Sequence, residues 1–230
     1  MKQITILILI LSFFVKVQKV NNVTITYTIK QKTIDLTKIK EKAKTSATAQ
    51  ELIWLYEDAN DVEATLKFTE NESIYNVIKK LKNDAEKKVN LTYHYAGSKN
   101  TYYSDKKELI RTSSVTGEML RIVERKNEWV LTKETKKIGQ FKCYKAIRKN
   151  SKSSYNVIAW YAPELPFPFG PREFNGLPGI ILELEFKNYI FFANKVDLND
   201  LEFVPIEKPS EGEKITYEDW KKRTKNFFYD

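Results

Sequence analysis

Few side chains in this sequence combine into a recognisable catalytic set. The chain has one histidine, His94, so any Ser-His-Asp or Cys-His arrangement has to use it. His94 lies between tyrosines in "LTYHYAG", and this context predicts a strand residue rather than a general base. The sequence also lacks a P-loop, a G-x-G-x-x-G, an H-E-x-x-H and a C-x-x-C motif. We therefore assign no catalytic residue.

Cys143 is the only cysteine, which excludes a disulfide within the chain. The alternating pattern "GQFKCYKAI" predicts a strand on which Cys143 is buried as a small apolar residue. The alternative is a reactive thiol or a soft metal ligand, for which His94 and Met119 would be the available partners. Because nothing in the spacing of these residues supports such a site, the sequence predicts neither a metal nor a cofactor.

Several carboxylates are candidates for a binding role. Glu183 and Glu185 are two residues apart, so on a strand they share a face. They could form a carboxylate pair of the kind used in glycoside hydrolysis, but the pattern is more typical of the solvated face of an antiparallel strand. Glu164 follows the aromatic pair Trp160 and Tyr161 and is the better candidate for a ligand contact, with a turn carboxylate as the alternative.

Prolines and glycines are most concentrated in residues 163–179, here called the Pro/Gly segment. It holds five of the seven prolines and three of the seven glycines. Proline cannot donate to a β-ladder and restricts its own φ, so a stiff, mostly extended loop that interrupts the sheet is predicted. A connection of this length usually has a function or packs as its own unit. The predicted ligand contacts of this region are Trp160, Tyr161, Glu164, Phe167, Phe169, Arg172 and Phe174.

The N-terminus is typical of an export signal. Lys2 precedes an unbroken apolar run from Ile4 to Val15, whose twelve residues are fewer than a membrane span requires. A buried strand or an anchor helix is the alternative. We predict a signal peptide over residues 1–20, one β-rich domain over residues 21–230 and no transmembrane span after signal removal. The expected location is periplasmic, outer-membrane-associated or secreted.

Composition and patterning predict the fold class. Hydrophobic residues make up 42% of the 230, enough for a sizeable core, and the net charge of +9 is spread along the chain without a groove-reading motif. Nucleic acid is therefore not expected as a partner. Alternation predicts a first strand over residues 23–32, a helix is expected over residues 45–59, and a hairpin is expected around Gly97. A last helix would align Trp220, Thr224 and Phe227. The predicted fold is mainly β: an antiparallel curved sheet or partly open barrel with one or two peripheral helices.

Three blocks of the sequence resemble the GLPGLI family. They are "EWVLTKETKKIGQFKCYKA" (128–146), "AWYAPELPFPFGP" (159–171) and "FNGLPGIILELE" (174–185), in the family's order. The resemblance implies an exported protein of a Gram-negative bacterium with a signal peptide and a β-rich body. It implies no reaction. The residues that it marks as a structural motif are Gly176, Leu177, Pro178, Gly179, Ile180 and Ile181, together with Cys143 and Lys145.

The leading functional hypothesis is an exported binding or interaction module that presents the Pro/Gly segment beside a sheet. Its partner would be an envelope protein, a peptide or a lipid. A periplasmic carrier of lipids or lipoproteins is the first alternative, and an enzyme of unrecognised type, using Cys143, Lys145, Glu183 or Arg172, is the second. An apolar cavity behind the sheet would favour the carrier hypothesis. An exposed aromatic rim would favour a binding module, and charged groups that converge on one point would favour an enzyme.

Overall fold

The computed structural model describes residues 22–33, 35–57, 59–79, 90–114, 116–149 and 156–225. The predicted signal peptide and Phe227 lie outside these residues. Within them, twelve strands form one mixed, mostly antiparallel sheet that is not closed into a barrel, and four short helices accompany it. The prediction of a mainly β fold with an antiparallel sheet that does not close is confirmed, and the described residues contain more helices than the one or two expected.

The strands pair in the order β12-β6-β5-β4-β3-β2-β1-β11-β10-β9-β8-β7. All neighbouring pairs are antiparallel except β12 and β6. The strands are β1 (Val23–Gln31), β2 (Val62–Phe68), β3 (Glu72–Val77), β4 (Tyr102–Asp105), β5 (Leu109–Ser113), β6 (Leu120–Val123), β7 (Trp129–Ile138), β8 (Phe141–Arg148), β9 (Ile158–Ala162), β10 (Ile180–Phe186), β11 (Tyr189–Asp197) and β12 (Glu213–Thr216).

The helices are α1 (Thr37–Ala43), α2 (Ala47–Glu57), α3 (Leu91–Ala96) and α4 (Tyr217–Arg223). The helix expected over residues 45–59 corresponds to α2, and the C-terminal helix corresponds to α4. None of the helices in the described part of the chain has the length and the apolar run needed to cross a bilayer.

The two faces of the sheet differ in what covers them. In β1, Val23, Ile25, Tyr27 and Ile29 are buried while the residues between them are not, because successive side chains of a strand point to opposite faces. We call the face of Tyr27 the inner face and the opposite one the outer face. Helix α3 packs on the inner face, where its C-terminal carbonyl at Ala96 accepts a hydrogen bond of 2.9 Å from the Tyr75 hydroxyl.

Helix α3 corrects one prediction, since "LTYHYA" is helical and His94 does not lie on a strand. Aromatic and β-branched residues favour strands, but Asn90 caps the helix: its side-chain oxygen accepts the backbone N–H groups of Thr92 at 2.9 Å and Tyr93 at 3.4 Å. Gly97, with a φ of 127°, ends the helix. The local capping and the packing on the sheet outweigh the strand propensity of this short stretch.

A C-terminal strap, residues 198–212, joins β11 to β12. Lys208 holds it in place through ion pairs with Asp105 at 3.0 Å and Glu108 at 2.9 Å, and its ammonium lies 5.3 Å from the centre of the Tyr103 ring. Burial opposes the ionisation of Asp105, but hydrogen bonds from the backbone N–H groups of Glu108 and Lys107 and from Lys208 lower its pKa to about 2. These ion pairs attach the middle of the strap to the β4–β5 hairpin.

This attachment predicts an acid-sensitive contribution to stability. Because the pKa of Asp105 is lower in the folded chain than in the unfolded one, its contribution is fully present above about pH 4 and is lost as the pH falls toward 2. We expect Asp105→Asn to remove about 1 kcal/mol at pH 7, allowing for solvent screening, and almost nothing at pH 2. Urea unfolding at both pH values measures the difference. An equal loss at both would contradict the assignment, and Asp61→Asn serves as an exposed control.

Candidate functional site

The Pro/Gly segment lies against the inner face through its apolar side chains. Leu165, Phe169, Phe174 and Leu177 are all at most 4% exposed. The Phe169 ring packs 5.8 Å from the ring of Phe68 in β2. Burial of such side chains stabilises a fold by about 1.5–3 kcal/mol each, so the segment is an integral part of the core.

Backbone hydrogen bonds fix the course of the segment. Gly176 donates to the carbonyl of Pro168 at 2.9 Å, and Ile180 donates to the carbonyl of Leu165 at 3.0 Å. At Gly179 the backbone approaches β9 so closely that an added Cβ would overlap the carbonyl of Ala162. The segment is thus tied both to itself and to the sheet, as the rigid loop expected from the sequence requires.

The outward side of the segment is a row of prolines. Pro163, Pro166, Pro168 and Pro178 are exposed, and Phe167 is half-buried between them, with its ring 5.2 Å from that of Phe68. We call Pro163, Pro166 and Pro168 the proline ledge. The prolines restrict the backbone while the buried side chains hold it from below. The chain turns twice here, because the N–H of Leu165 donates to the carbonyl of Ala162 at 3.1 Å and the N–H of Phe167 donates to the carbonyl of Leu165 at 2.8 Å. The ledge is therefore a preformed, turned surface rather than the mostly extended loop that the sequence predicts.

Arg172 connects the segment to α3. Its φ of 56° lies in the left-handed region, which is uncommon for residues other than glycine. Its guanidinium donates to the backbone carbonyl of Tyr95 at 2.7 Å, forms an ion pair with Glu173 at 3.0 Å and lies 4.8 Å from the centre of the Phe186 ring. The strained backbone is compensated by this set of contacts, which orients Arg172 inward.

A second buried ion pair lies on the inner face of β5 and β6. Arg111 in β5 pairs with Glu124, directly after β6, at 2.6 Å, and the side chains are only 10% and 7% exposed. The ring of Trp220 from α4 covers the guanidinium, with its centre 4.3 Å away. Burial raises the pKa of Glu124, although Arg111 acts in the opposite direction. Breaking such a pair by removing one partner leaves an uncompensated buried charge.

Polar groups connect the Pro/Gly segment to β4, to β7 and to Asn127. The side-chain amide of Asn175 donates to the Ser104 hydroxyl at 3.2 Å, and the backbone carbonyl of Asn175 accepts a hydrogen bond from the indole N–H of Trp129 at 2.8 Å. Asn127 donates to the backbone carbonyl of Glu173 at 2.6 Å. Burial also raises the pKa of Tyr102. This side of the inner face is therefore a buried polar network rather than a continuation of the apolar core.

The polar network is better suited to fixing the positions of its side chains than to transferring protons. Each guanidinium faces a carboxylate, and an arginine stays charged at any relevant pH. His94 is packed edge-on against Tyr95, and burial together with Arg172 and Lys187 lowers its pKa. No group of histidine, cysteine and acidic residues suited to a metal ion occurs in the described ranges of the chain.

A different set of motif residues meets on the outer face. Trp160 in β9 lies directly opposite Lys145 in β8 and Glu183 in β10. Lys136 of β7 pairs with Glu183 at 2.6 Å and lies over the Trp160 ring, 4.4 Å from its centre. Lys145 pairs with Glu134 at 2.9 Å. These residues form a row of alternating charge around one tryptophan.

Cys143 is fully buried, and burial raises its thiol pKa to about 11. A thiol with this pKa is protonated near neutrality, so Cys143 has no nucleophilic character there.

Glu183 and Glu185 each form an ion pair with a lysine, Lys136 and Lys32 respectively.

The seven predicted ligand contacts do not form one site. Trp160 lies on the outer face, whereas its neighbour Tyr161 is buried on the other side. Phe169 and Phe174 are core residues, Phe167 is half-buried, and Arg172 belongs to the polar network. Glu164 is exposed and accepts a hydrogen bond of 3.2 Å from the backbone N–H of Lys142, as a turn carboxylate would.

Arg111 and Glu124 are the functional candidates that sequence reasoning missed. Arg111 occupies the position between Leu109 and Ser113 on the buried face of β5. A charged residue flanked at i±2 by apolar or small residues is the signal that would have marked it. Its partner Glu124 is separated from it by a turn, and only the strand register brings the two together.

Comparison with known proteins shows that one part of the chain, which includes the Pro/Gly segment, is similar to a described family. Residues 148–183 match the family described as "Protein of unknown function (Porph_ging)". The match spans β9, the whole Pro/Gly segment and the first four residues of β10, and it does not carry the GLPGLI name. No curated protein matches the chain.

Among solved structures, the chain is similar to PNGF-II in two space groups. The TM-scores are 0.54 and 0.52, with 13% and 15% identity, over 88% of this chain in both cases. The match covers 32% and 33% of the PNGF-II chains, so this chain spans about a third of their length. An uncharacterised conserved protein from Thermus thermophilus aligns with a TM-score of 0.37, 7% identity and coverage of 86% of this chain and 91% of its own. The PNGF-II similarity shows a shared fold.

The packing of the segment predicts that substitutions at two of its glycines lower the free energy of unfolding by different amounts. Gly179→Val should prevent stable folding, because the new side chain would overlap the Ala162 carbonyl in β9. Gly176 has a φ of 88°, and an added Cβ would meet only the Asn127 carbonyl oxygen, at 3.9 Å, so Gly176→Ala should cost only about 1 kcal/mol of backbone strain. Gly117→Ala, at a φ of 86° with no atom within 4 Å, is the matched control. Urea unfolding measures all three, and a Gly179→Val protein as stable as wild type would disprove the close approach.

The environment of Cys143 predicts slow thiol chemistry. We expect an aromatic disulfide reagent at pH 8 to label the native protein at least a hundredfold more slowly than the protein in denaturant, because the thiol is buried and its pKa is about 11. The absorbance of the released thiolate reports the rate. Rapid labelling of the native protein at a rate independent of denaturant would contradict this burial.

Proposed function

We propose that this protein is an exported binding module and that the proline ledge is the surface it presents to a partner. The observation that carries the proposal is the division of the Pro/Gly segment into buried anchors and exposed prolines. Export is supported by the N-terminal sequence of Lys2 followed by an apolar run. The partner class is an envelope protein.

Preorganisation is the physical basis of the proposal. A loop that is already ordered loses little conformational entropy when it binds, so more of its contact energy becomes affinity. Pro163, Pro166 and Pro168 restrict the ledge, and the anchors Leu165 and Phe169 prevent it from collapsing. Proline-containing surfaces are recognised by aromatic-lined grooves, and this is the surface we expect on the partner.

The arrangement of the inner face favours a binding module over a lipid carrier. The space in which a carrier would hold an acyl chain is filled here by Phe169, Phe174 and Leu177. The converging charged groups that an enzyme would need are present, but Arg111 and Glu124, like Arg172 and Glu173, are paired with each other. These ion pairs support a structural role for the polar network on the inner face.

Ledge variants test the proposal directly. The double variant Pro166→Ser/Pro168→Ser keeps the anchors and removes two rigid contact residues, so we expect partner recovery to fall about tenfold. Pro205→Ser, an exposed proline of the strap, is the matched control and should leave recovery unchanged. The measurement is a quantitative pull-down from envelope extract with mass spectrometry of proteins and lipids.

Thermal melts of the three proteins separate folding from binding. If the ledge variant melts within a few degrees of wild type and still recovers the same proteins in the same amounts, the ledge is not the binding surface. Specific recovery of lipid by wild type and by the ledge variant alike would replace the proposal with the carrier hypothesis.

A further inference from the structure

The connection between β1 and β2 is a helical hairpin, formed by α1 and α2, that buries little of its own surface. Of the eleven residues of α2, only Ile53 is buried. Leu52 is 37% exposed and Trp54 is 59% exposed. The "ELIWLY" run of this helix is apolar on several sides, whereas a surface helix usually has one apolar stripe.

Trp54 is the most exposed tryptophan of the described residues, since Trp129, Trp160 and Trp220 are all half-buried. Tryptophan side chains bury the largest areas in cores and interfaces, and an exposed one beside another apolar residue marks an interaction surface more often than a scattered apolar residue does. This makes the hairpin a surface whose apolar side chains lack cover within the described chain.

The neighbouring helix is basic. Residues 37–44 carry four lysines and one glutamate, and Lys40, Lys42 and Lys44 are exposed. Lys40 pairs with Glu57 of α2 at 2.8 Å. Because Glu57 lies one helical turn after Trp54, this ion pair brings a lysine of α1 to the side of α2 that carries the tryptophan.

We propose that the helical hairpin docks on an anionic lipid surface. Trp54 would enter the headgroup region, and lysines of α1 such as Lys44, one helical turn after Lys40, would contact the phosphates with their aliphatic stems along the apolar side. Tryptophan and lysine together are the residues that anchor interfacial helices. Each lysine near an anionic surface adds an attraction that decays within a Debye length.

The positions of the apolar residues favour a lipid surface over a protein groove. A groove reads a helix through anchors at i, i+3, i+4 and i+7, which form one stripe. Leu52 and Trp54 are two residues apart, so they point about 200° apart around the helix. A lipid surface needs no such stripe, because a single exposed tryptophan beside lysines can lie at the headgroup level. Since Glu41 and Glu51 are also exposed, the apolar and the charged contributions are both required.

Vesicle binding tests the proposal with two matched sets of variants. The probes are vesicles of phosphatidylcholine alone and of phosphatidylcholine with 30% phosphatidylglycerol, assayed by cosedimentation at low salt. We expect binding to the anionic vesicles and at least a tenfold loss of affinity for Trp54→Ala and for Lys40→Gln/Lys42→Gln/Lys44→Gln. The control triple, Lys221→Gln/Lys222→Gln/Lys225→Gln on and just after α4, removes the same charge elsewhere and should change affinity less than twofold.

All proteins are compared in the same form of the chain, so any lipid affinity of the N-terminal apolar run is common to them. Trp54→Phe should abolish the blue shift of tryptophan fluorescence that wild type shows with anionic vesicles, and thermal melts verify folding. Equal binding to both vesicle types, or equal binding by wild type and the hairpin variants, would overturn the proposal. A Trp54-dependent dimer in sedimentation that does not bind vesicles would also overturn it, because the hairpin would then contact a second copy.

Discussion

The inner face of the sheet is apolar over β1, β2 and β11, and in an open sheet such a face must be covered by other parts of the chain. The Pro/Gly segment and α3 provide that cover. Phe169 and Phe174 fill the space above Phe68 and Phe186, so the segment is fixed by the hydrophobic effect rather than by its prolines alone. The exposed prolines, the orientation of Arg172 and the position of α3 all depend on this packing.

Charge is used differently on the two sides of the sheet. On the inner face, Arg111 with Glu124 and Arg172 with Glu173 are paired in low-dielectric surroundings, where an unpaired partner would be costly. On the surface, lysine pairs such as Lys208 with Asp105 attach the strap. The buried pairs restrict the geometry of the inner face, while the surface pairs make the attachment of the strap sensitive to pH and salt. A binding module with a rigid ledge is consistent with this division.

The shared fold with PNGF-II covers about a third of those chains and supports an architecture, not an activity. The match to a described family falls on residues 148–183, nearly the same residues that form β9, the ledge and its anchors. The two proposed binding surfaces therefore belong to different parts of the chain. The ledge lies within the family-matched residues, and the helical hairpin lies in the connection between β1 and β2, outside the match.

The sequence by itself determined the β-rich class, because period-two alternation in segments such as β1 is a local property, and it determined the stiffness of residues 163–179, because proline acts on its own backbone. Tertiary structure decided the rest. The LTYHYA stretch became α3 through an asparagine cap and packing on the sheet, against its strand propensity. Trp160 and Tyr161, adjacent in sequence, were placed on opposite faces, and Arg111 met Glu124 only through strand register. Long-range pairing is not encoded in any short window, and for that reason the polar network could not be predicted.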